Sequence, residues 1–375
     1  MILYVVVLMS LALYSFCLID PNITFFNHPV WSRFLEFVLQ IGYYQRNLSW
    51  QMYVILIGLL TVFHIFFIRR YKEFNPIKIA FMISCILIFS YPFLSHDFLK
   101  YMFDAKILTY YHQNPYMARP IDFSYDPWLR FLQWIEQPFR YGPIFLLIII
   151  IPSFLSMGKF LLSFLFLKTT FILFYLLAVF ILQKMNRRWA IIFATHPLIL
   201  IDGLVNGHND LIGVSLFILG VYLLKKRQIV SRLILLASVG IKYLTLPVIF
   251  ISLKDRFKIN KYIFVSLLIL PFLLLNSFFG NLFLTEIHTW YFIILLGFLP
   301  LCEGIITKLL PLFIGLLLAY YPFIRFGNWE RFYGIPVKHL IIVGFALANF
   351  ILLLLIPKWK HELLLFLTKK SAIRI

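Results

Sequence analysis

Residues Phe160–Leu182 read FLLSFLFLKTTFILFYLLAVFIL, and this stretch decides the class of fold. It holds 23 residues and a single charged side chain, Lys168. An α-helix needs about 20 consecutive apolar residues to cross the hydrocarbon core of a bilayer. The stretch therefore predicts a transmembrane helix. The basic residues Lys184–Arg188 that follow predict that its carboxyl end is cytoplasmic.

The rest of the 375-residue chain has the same character, since 62% of its residues are hydrophobic and 13% are charged. A soluble domain carries about 25% charged residues. We expect an all-α polytopic membrane protein with about 10–12 transmembrane helices, short or re-entrant segments included. It would form one transmembrane domain over residues 1–375. The predicted full spans are Met1–Ile19, Met52–Ile68, Lys78–Ser95, Phe160–Leu182, Trp189–Gly203, Leu211–Leu224, Tyr262–Phe279, Trp290–Cys302, Ile305–Phe323 and His339–Ile356.

Two further apolar segments do not fit a simple crossing. Ile144–Met157 is short and contains Pro152, and Leu233–Leu253 begins and ends beside basic clusters. We expect the second segment to enter the membrane and return, with its turn near Gly240. Broken backbone is tolerated in a membrane only where protein or water covers it, so such segments usually line a cavity.

The net charge of +19 describes topology and does not indicate a nucleic-acid partner. Basic residues near span ends stay on the cytoplasmic side. Five clusters between spans each carry +3 or +4: Arg69–Lys78, Lys184–Arg188, Lys225–Arg232, Lys254–Lys261 and Lys358–Arg374. The largest loop, residues 96–143, has balanced charge, and we place it on the non-cytoplasmic side.

The three cysteines, Cys17, Cys85 and Cys302, are far apart and show no metal or redox spacing. The first segment lacks the basic start and the cleavage site of a signal peptide, so we expect Met1–Ile19 to be retained as a span.

The large loop opens with a predicted helix that carries acidic residues. Asp97, Tyr101 and Asp104 are spaced by four and three, which puts both carboxylates on one helical face. Apolar residues of the same helix would form a face in the membrane interface: Phe98, Met102 and Ile107. Alternatively the helix is simply solvated, and Asp104 pairs with Lys100.

Residues Asn206–Asp210 form a small polar stretch between two apolar runs. One interpretation is a turn in which Asp210 caps the next helix. That interpretation leaves His208 and Asn209 unexplained, so both are candidates for binding substrate.

Lys242 lies midway through an apolar segment, where an unpaired charge is costly, and it is a functional candidate unless it reaches an interface. Glu286 and His288 lie at another predicted outer mouth. Trp290 and Tyr291, taken singly, are typical of an aromatic belt. One of three loop arginines could bind a phosphate, and the sequence does not select among Arg119, Arg130 and Arg140.

These segments together resemble the GT-C superfamily of membrane glycosyltransferases, in particular polyprenol-phosphate-mannose-dependent α-mannosyltransferases and the catalytic subunit of GPI mannosyltransferase I. The resemblance covers about Ser95 to Pro300. Its motifs are carried by His96-Asp97, Tyr101, Phe103-Asp104, Asn114-Pro115-Tyr116, Gly207–Asp210, Lys242 and His288–Tyr291.

Three residues depart from the family pattern. His96 replaces the first acid of a pair, Ala105 replaces a glycine, and Tyr243 replaces the proline after Lys242. The loss of one acid weakens the case for a carboxylate-bound metal. We therefore predict no metal ligand firmly, although a divalent ion is compatible with the sequence.

The resemblance implies transfer of a sugar, mannose by analogy, from a polyprenyl-phosphate donor to a lipid-linked or glycan acceptor on the non-cytoplasmic face. Asp97 would act as general base with inversion, and Asp104 would orient the acceptor or Asp97. The residues expected to bind the donor phosphate or the substrates are His208, Lys242, Asn209, His288, Tyr101 and Tyr116.

A second hypothesis is a membrane transporter or flippase, which would place several ionisable residues inside spans along a path. Here they crowd at one mouth, which favours the transferase. The interpretation also favours a bacterial cell membrane over the endoplasmic reticulum membrane.

Overall fold

The computed structural model describes residues 1–23, 25–224, 226–241, 286–327 and 334–358. Helices dominate this part of the chain, and no β-strand occurs in it. The α-helices are α1 Ile2–Tyr14, α2 Pro29–Leu39, α3 Arg46–Arg69, α4 Pro76–Leu87, α5 Asp97–Thr109, α6 Pro143–Leu155, α7 Phe160–Met185, α8 Arg187–Thr195, α9 Asp210–Leu223, α10 Gln228–Val239, α11 Ile293–Gly297, α12 Leu299–Ile306, α13 Leu310–Leu318, α14 Tyr321–Phe326 and α15 Gly334–Leu355. Short 3₁₀ segments cover Ser15–Leu18, Pro120–Phe123, Pro127–Phe131, Thr289–Phe292 and Thr307–Leu309, and π-helices cover Gln40–Tyr44 and Ile199–Val205.

Within the described ranges, four helical stretches are long and apolar enough to cross a membrane: Arg46–Arg69, Phe160–Met185, Leu299–Phe326 and Gly334–Leu355. A bent pair, Arg187–Thr195 with Ile199–Val205, makes up to five. Shorter apolar helices include Ile2–Leu18, Pro76–Leu87, Pro143–Leu155, Asp210–Leu223 and Gln228–Val239. The expected all-α polytopic membrane protein with short segments is confirmed.

The predicted span Trp189–Gly203 is broken rather than continuous. Its two halves meet at 68°, and His196, the residue before Pro197, is extended with φ −68° and ψ 125°. A residue before proline avoids the helical region, which explains the break. Lys168 of α7 covers the end of the second half, because its Nζ donates to the carbonyl groups of Leu204 and Val205 at 2.9 and 2.6 Å.

Two predicted spans near the carboxyl terminus also differ in their bounds from the helices of the structure. Trp290–Cys302 is not one helix: a 3₁₀ turn and a five-residue helix end at Gly297. The long apolar stretch is Leu299–Phe326, which joins the end of that predicted span to the next one. Cys302, with φ −149° and ψ 49°, marks a kink inside it.

Helices α9 and α10 form a tight antiparallel hairpin. The hydroxyls of Ser231 and Ser238 on α10 donate to the carbonyl groups of Gly220 and Gly213 on α9, at 2.7 and 2.8 Å. Small residues allow such close approach of two helices in a membrane. After α10 the chain turns at Gly240 and Ile241, and the expected return arm lies outside the described residues.

The two ends of the molecule differ in charge. Arg187 donates to the carbonyl group of Phe74 at 2.8 Å, so the basic clusters Arg69–Lys78 and Lys184–Arg188 lie at one end. At the opposite end of α7, Phe160 packs against Trp128 and Phe131 of the large loop. A 26-residue helix spans about 39 Å, which is enough to cross a bilayer.

Helix α5 is the first element of the large loop, and it does not lie on the surface of the protein. Residues Phe98–Ile107 are buried on all faces, so the expected interfacial placement of Phe98, Met102 and Ile107 is wrong. Helices α6 and α7 pack around α5. A buried pair between Lys106 and Asp126 fastens the rest of the loop to it.

Candidate functional site

Asp97 lies at the first turn of α5, on the wall of a cavity. The hydroxyl of Ser95 accepts a hydrogen bond from the backbone N–H of Asp97 at 3.2 Å. The backbone N–H of Leu94, the residue before Ser95, donates to the side-chain oxygen of Asn206 at 3.1 Å. These bonds tie the approach to α5 to the polar stretch Asn206–Asp210. The Asp97 side chain is 15% exposed and reaches the cavity.

The cavity has a volume of about 680 Å³, which is in the range of small-molecule sites. Its walls carry both signs of charge, with the cations Lys100 and Arg140 and the carboxylates Asp97 and Glu286. The remaining lining includes amides and aromatic rings: Gln133, Trp134, Gln137, Tyr141, Trp290 and Tyr291. This mixture suits a ligand that has both a phosphate and hydroxyl groups.

Three stacked rings form one wall of the site. The imidazole of His208 stacks on the Trp290 indole with ring centroids 3.9 Å apart and planes 11° apart. On the other face, His288 stacks at 4.5 Å and 19°. Both faces of the Trp290 indole are therefore covered by imidazole rings.

His208 is fully buried, and its Nδ1 lies 3.5 Å from Oδ2 of Asp97. The His208 ring contacts the Asp97 carboxylate on the side away from the cavity and does not itself line the cavity. Gly207, with φ +67°, allows the turn that brings this ring inward, and a Cβ there would lie 2.5 Å from the Phe98 ring. Glycine adopts this left-handed conformation without steric cost.

Asp202, on the π-helix, holds the ring stack together. Its buried carboxylate accepts hydrogen bonds from Asn206, Thr289 and Tyr320 at 3.0 to 3.1 Å. Its carbonyl group accepts from the N–H of His208 at 3.1 Å. Thr289 directly precedes Trp290 in the chain. Asp202 therefore holds the backbone of His208 and the residue before Trp290, and so positions two of the stacked rings.

Asp104 lies beneath the cavity wall and is fully buried. Its Oδ1 accepts from Nζ of Lys100 at 2.7 Å, so the pairing considered from the sequence does occur. Burial raises the pKa of Asp104 to about 6; the charge of Lys100 opposes this shift and the charge of Asp97 adds to it. Its Oδ2 has no hydrogen-bond partner in the described part of the chain.

The other predicted residues lie at different distances from the cavity. Tyr101 is buried behind its wall and packs against Tyr141 at 5.0 Å. Tyr116 supports the same segment by donating to the carbonyl group of Tyr141 at 3.1 Å. Asn209 is buried, and neither polar atom of its side chain has a hydrogen-bond partner among the described residues.

Three further sequence interpretations concern residues near the cavity. The candidate Lys242 lies outside the described residues, although its neighbour Ile241 lines the cavity. Asp210 is the first residue of α9 and not its cap, which is Asn209. Trp290 and Tyr291 both line the cavity, and Trp290 stacks on His208.

Sequence reasoning did not assign four residues that the structure brings to the site. Lys100 shares the helical face of Asp97 and Asp104, so the same spacing could have found it. Arg140 is the arginine that lines the cavity, whereas Arg119 pairs with Asp122 at 2.9 Å. No local pattern points to the others, which are Asp202 and Lys338.

Within the described ranges, no group of three or more His, Cys, Asp or Glu side chains is arranged to hold a metal ion. Two basic side chains, Lys100 and Arg140, line the cavity. A carboxylate beside two cations can accept a proton from a hydroxyl group while a phosphate is bound nearby.

Residues 22–253 match the family described as alpha-(1->6)-mannopyranosyltransferase, N-terminal domain. The match includes Asp97, Lys100, Arg140 and His208, and it ends before Glu286. No curated protein matches the chain. No solved structure matches it either.

Proposed function

Since the chain belongs to the alpha-(1->6)-mannopyranosyltransferase family, we propose that it transfers a mannosyl group from a polyprenyl-phosphate donor to a lipid-linked or glycan acceptor. The single observation that carries the proposal beyond the family is the cavity, where Asp97 shares one space with Lys100 and Arg140. A base and two cations are the groups that this reaction requires.

Asp97 is the general base in this proposal. The acceptor oxygen attacks the anomeric carbon, and the bond from that carbon to the phosphate oxygen breaks. The electron pair leaves with the polyprenyl phosphate, and the hydroxyl proton passes to the Asp97 carboxylate. One in-line displacement inverts the anomeric carbon, so an α-linked product requires a β-linked donor.

Lys100 and Arg140 bind the donor phosphate and stabilise the charge that develops on it. Arginine and lysine are the usual partners of phosphate groups. Among the described residues, Arg140 forms no ion pair and the Lys100 ammonium pairs only with Asp104. His208 and the Trp290 ring orient Asp97, since the imidazole lies against the carboxylate and away from the cavity.

We place the cavity on the non-cytoplasmic face. Helix α10 begins within the basic cluster Lys225–Arg232, and the turn after it lines the cavity at Ile241. The basic end of a span stays in the cytoplasm, so the cavity faces the other side. A bacterial cell membrane remains our proposed location.

The carrier hypothesis needs charged groups that are available along a path. Two lysines in apolar stretches are bound instead to backbone carbonyl groups. Lys168 caps the π-helix, and Lys308 donates to Gly304 at 2.9 Å. This supports the transferase.

The test is transfer by the purified full-length protein in lipid nanodiscs. Wild-type protein with polyprenyl-phosphate mannose and a mannoside acceptor should give a product one hexose heavier by mass spectrometry. Asp97→Asn should lower the rate at least 100-fold and leave donor binding within about twofold, because only the base is removed. Asp122→Asn, on the outer part of the same loop, is the matched control. Full activity of Asp97→Asn would refute the assignment.

A further inference from the structure

Glu286 is a carboxylate on the cavity wall that is fixed by a buried lysine. Nζ of Lys338 donates to Oε1 of Glu286 at 2.6 Å. The Lys338 side chain has no exposed surface, whereas Glu286 is 26% exposed and lines the cavity. Burying a lysine is costly unless it is paired, so this pair fixes the position of the carboxylate.

Glu286 is ionised at neutral pH. Burial raises its pKa, but the charges of Lys338 and His288 outweigh burial, and the pKa lies below its usual value. The bond to Lys338 uses Oε1, and Oε2 has no partner in the described part of the chain. A carboxylate only accepts hydrogen bonds, so the ligand it recognises must donate them.

Glu286 lies at the opposite end of the ring stack from Asp97. Asp97 contacts His208, and Glu286 is 3.8 Å from His288, so Trp290 and both imidazoles separate the two carboxylates. Asp97, Tyr291 and Glu286 line the same cavity. One extended ligand in this cavity can therefore reach both carboxylates.

The charge of Glu286 decides which part of the reactants it can bind. It would repel a phosphate, and Lys100 and Arg140 already supply the cations for one. The donor sugar is joined directly to that phosphate. The acceptor approaches from the opposite side in an in-line displacement and extends away from the leaving group. Its remaining hydroxyl groups are the donors that fit Glu286.

We infer that Glu286, held by Lys338, binds hydroxyl groups of a sugar in the acceptor. The acceptor is then a glycan or glycolipid with at least one sugar residue, and a simple lipid alcohol would lack the groups that Glu286 accepts. This inference rests on the proposed transferase function. Glu286 determines acceptor specificity, while Asp97 remains the catalytic base.

The first experiment measures binding of α-(1→6)-mannobiose to the full-length protein by calorimetry, without any donor. Glu286→Gln and the double variant Glu286→Gln/Lys338→Met should weaken binding about tenfold or more, since charge-assisted hydrogen bonds are lost. The double variant removes both charges of the Glu286–Lys338 pair. Glu136→Gln, an exposed glutamate of the large loop, is the matched control.

Kinetics separate acceptor from donor effects. In both Glu286 variants the KM for the acceptor should rise at least tenfold, and the KM for the donor should stay within about twofold. A larger change for the donor, or unchanged binding of mannobiose, would overturn the inference. So would a wild-type protein that does not bind mannobiose.

A measurement on the wild-type protein tests the role of Glu286 without relying on variants that fold correctly. Carbodiimide-coupled labelling of Glu286, read by mass spectrometry, should be slowed by mannobiose and not by polyprenyl phosphate; equal labelling with and without mannobiose contradicts the inference. If mannobiose binding requires Glu286 but no donor supports transfer, the proposed transferase function fails while the sugar site stands.

Discussion

Protonation of Asp104 should strengthen binding of the donor. Asp104 has a pKa of about 6 and holds Nζ of Lys100 at 2.7 Å. It is roughly 90% ionised at pH 7 and roughly 90% protonated at pH 5. When Asp104 is neutral, the full charge of Lys100 is available to the phosphate. The donor's phosphodiester keeps its single negative charge over this range.

The size of the effect follows from the geometry. A hydrogen bond to a charged group contributes about 1.5–3 kcal/mol. Lys100 lines a cavity open to water, so we expect about 1 kcal/mol of this in donor binding, which is roughly fivefold in the KM for the donor. The KM should fall between pH 7 and pH 5.

The assay is transfer at saturating acceptor with varied donor, from pH 5 to pH 7.5. Asp104→Asn should show the low KM at every pH. Asp122→Asn is the control, because the hydrogen bond and charge of Arg119 hold the pKa of Asp122 below its usual value. A donor KM that is flat with pH in the wild type, or that falls equally in Asp104→Asn, would refute the reasoning.

Stability gives an independent check of the same group. Folding raises the pKa of Asp104 above its usual 3.8. Its contribution to stability is therefore fully present below pH 3.8 and is lost as the pH rises through about 6. The fall in Tm between pH 5 and pH 7 should be smaller in Asp104→Asn than in the wild type.

Two further predictions concern the backbone of the site. Gly207→Ala would place an alanine at a strained φ of +67° and its Cβ 2.5 Å from the Phe98 ring. Both the Tm and kcat should therefore fall, kcat at least tenfold. Unchanged thermal unfolding and activity would contradict this. Lys168→Met leaves the carbonyl groups of Leu204 and Val205 without the donor Nζ. The free energy of unfolding, measured by chemical denaturation in detergent, should fall by about 2 kcal/mol or more. An unaltered denaturation midpoint would show that these two hydrogen bonds are dispensable.

Much of the fold could be predicted because membrane-spanning helices and their orientation are encoded by local sequence. Apolar stretches such as Phe160–Leu182 and the flanking basic clusters each act within about 20 residues. The break at Pro197 is also a local signal, but the apolar residues around it favour the prediction of one continuous span. The burial of α5 could not be predicted, since it depends on how α6 and α7 close around that helix.

The site was predictable in its parts and not in its pairings. The spacing of Asp97 and Asp104 and the polar stretch around His208 indicated reactive groups. Selecting Arg140 among three arginines requires the path of the large loop. Lys338 meets Glu286 across 52 residues, and Tyr320 meets Asp202 across 118. No periodicity within a helix encodes contacts of that length.

The ring stack and the Glu286–Lys338 pair also bear on biogenesis. Asp97 emerges from the ribosome roughly 240 residues before Lys338. At about 5–20 residues per second, that interval is on the order of 10–50 s. During it, Asp202 is synthesised and inserted without Thr289 and Tyr320. The hydrogen bonds of Asp202 and the bond between Glu286 and Lys338 can therefore all be in place only after the last described helix, α15, has been synthesised.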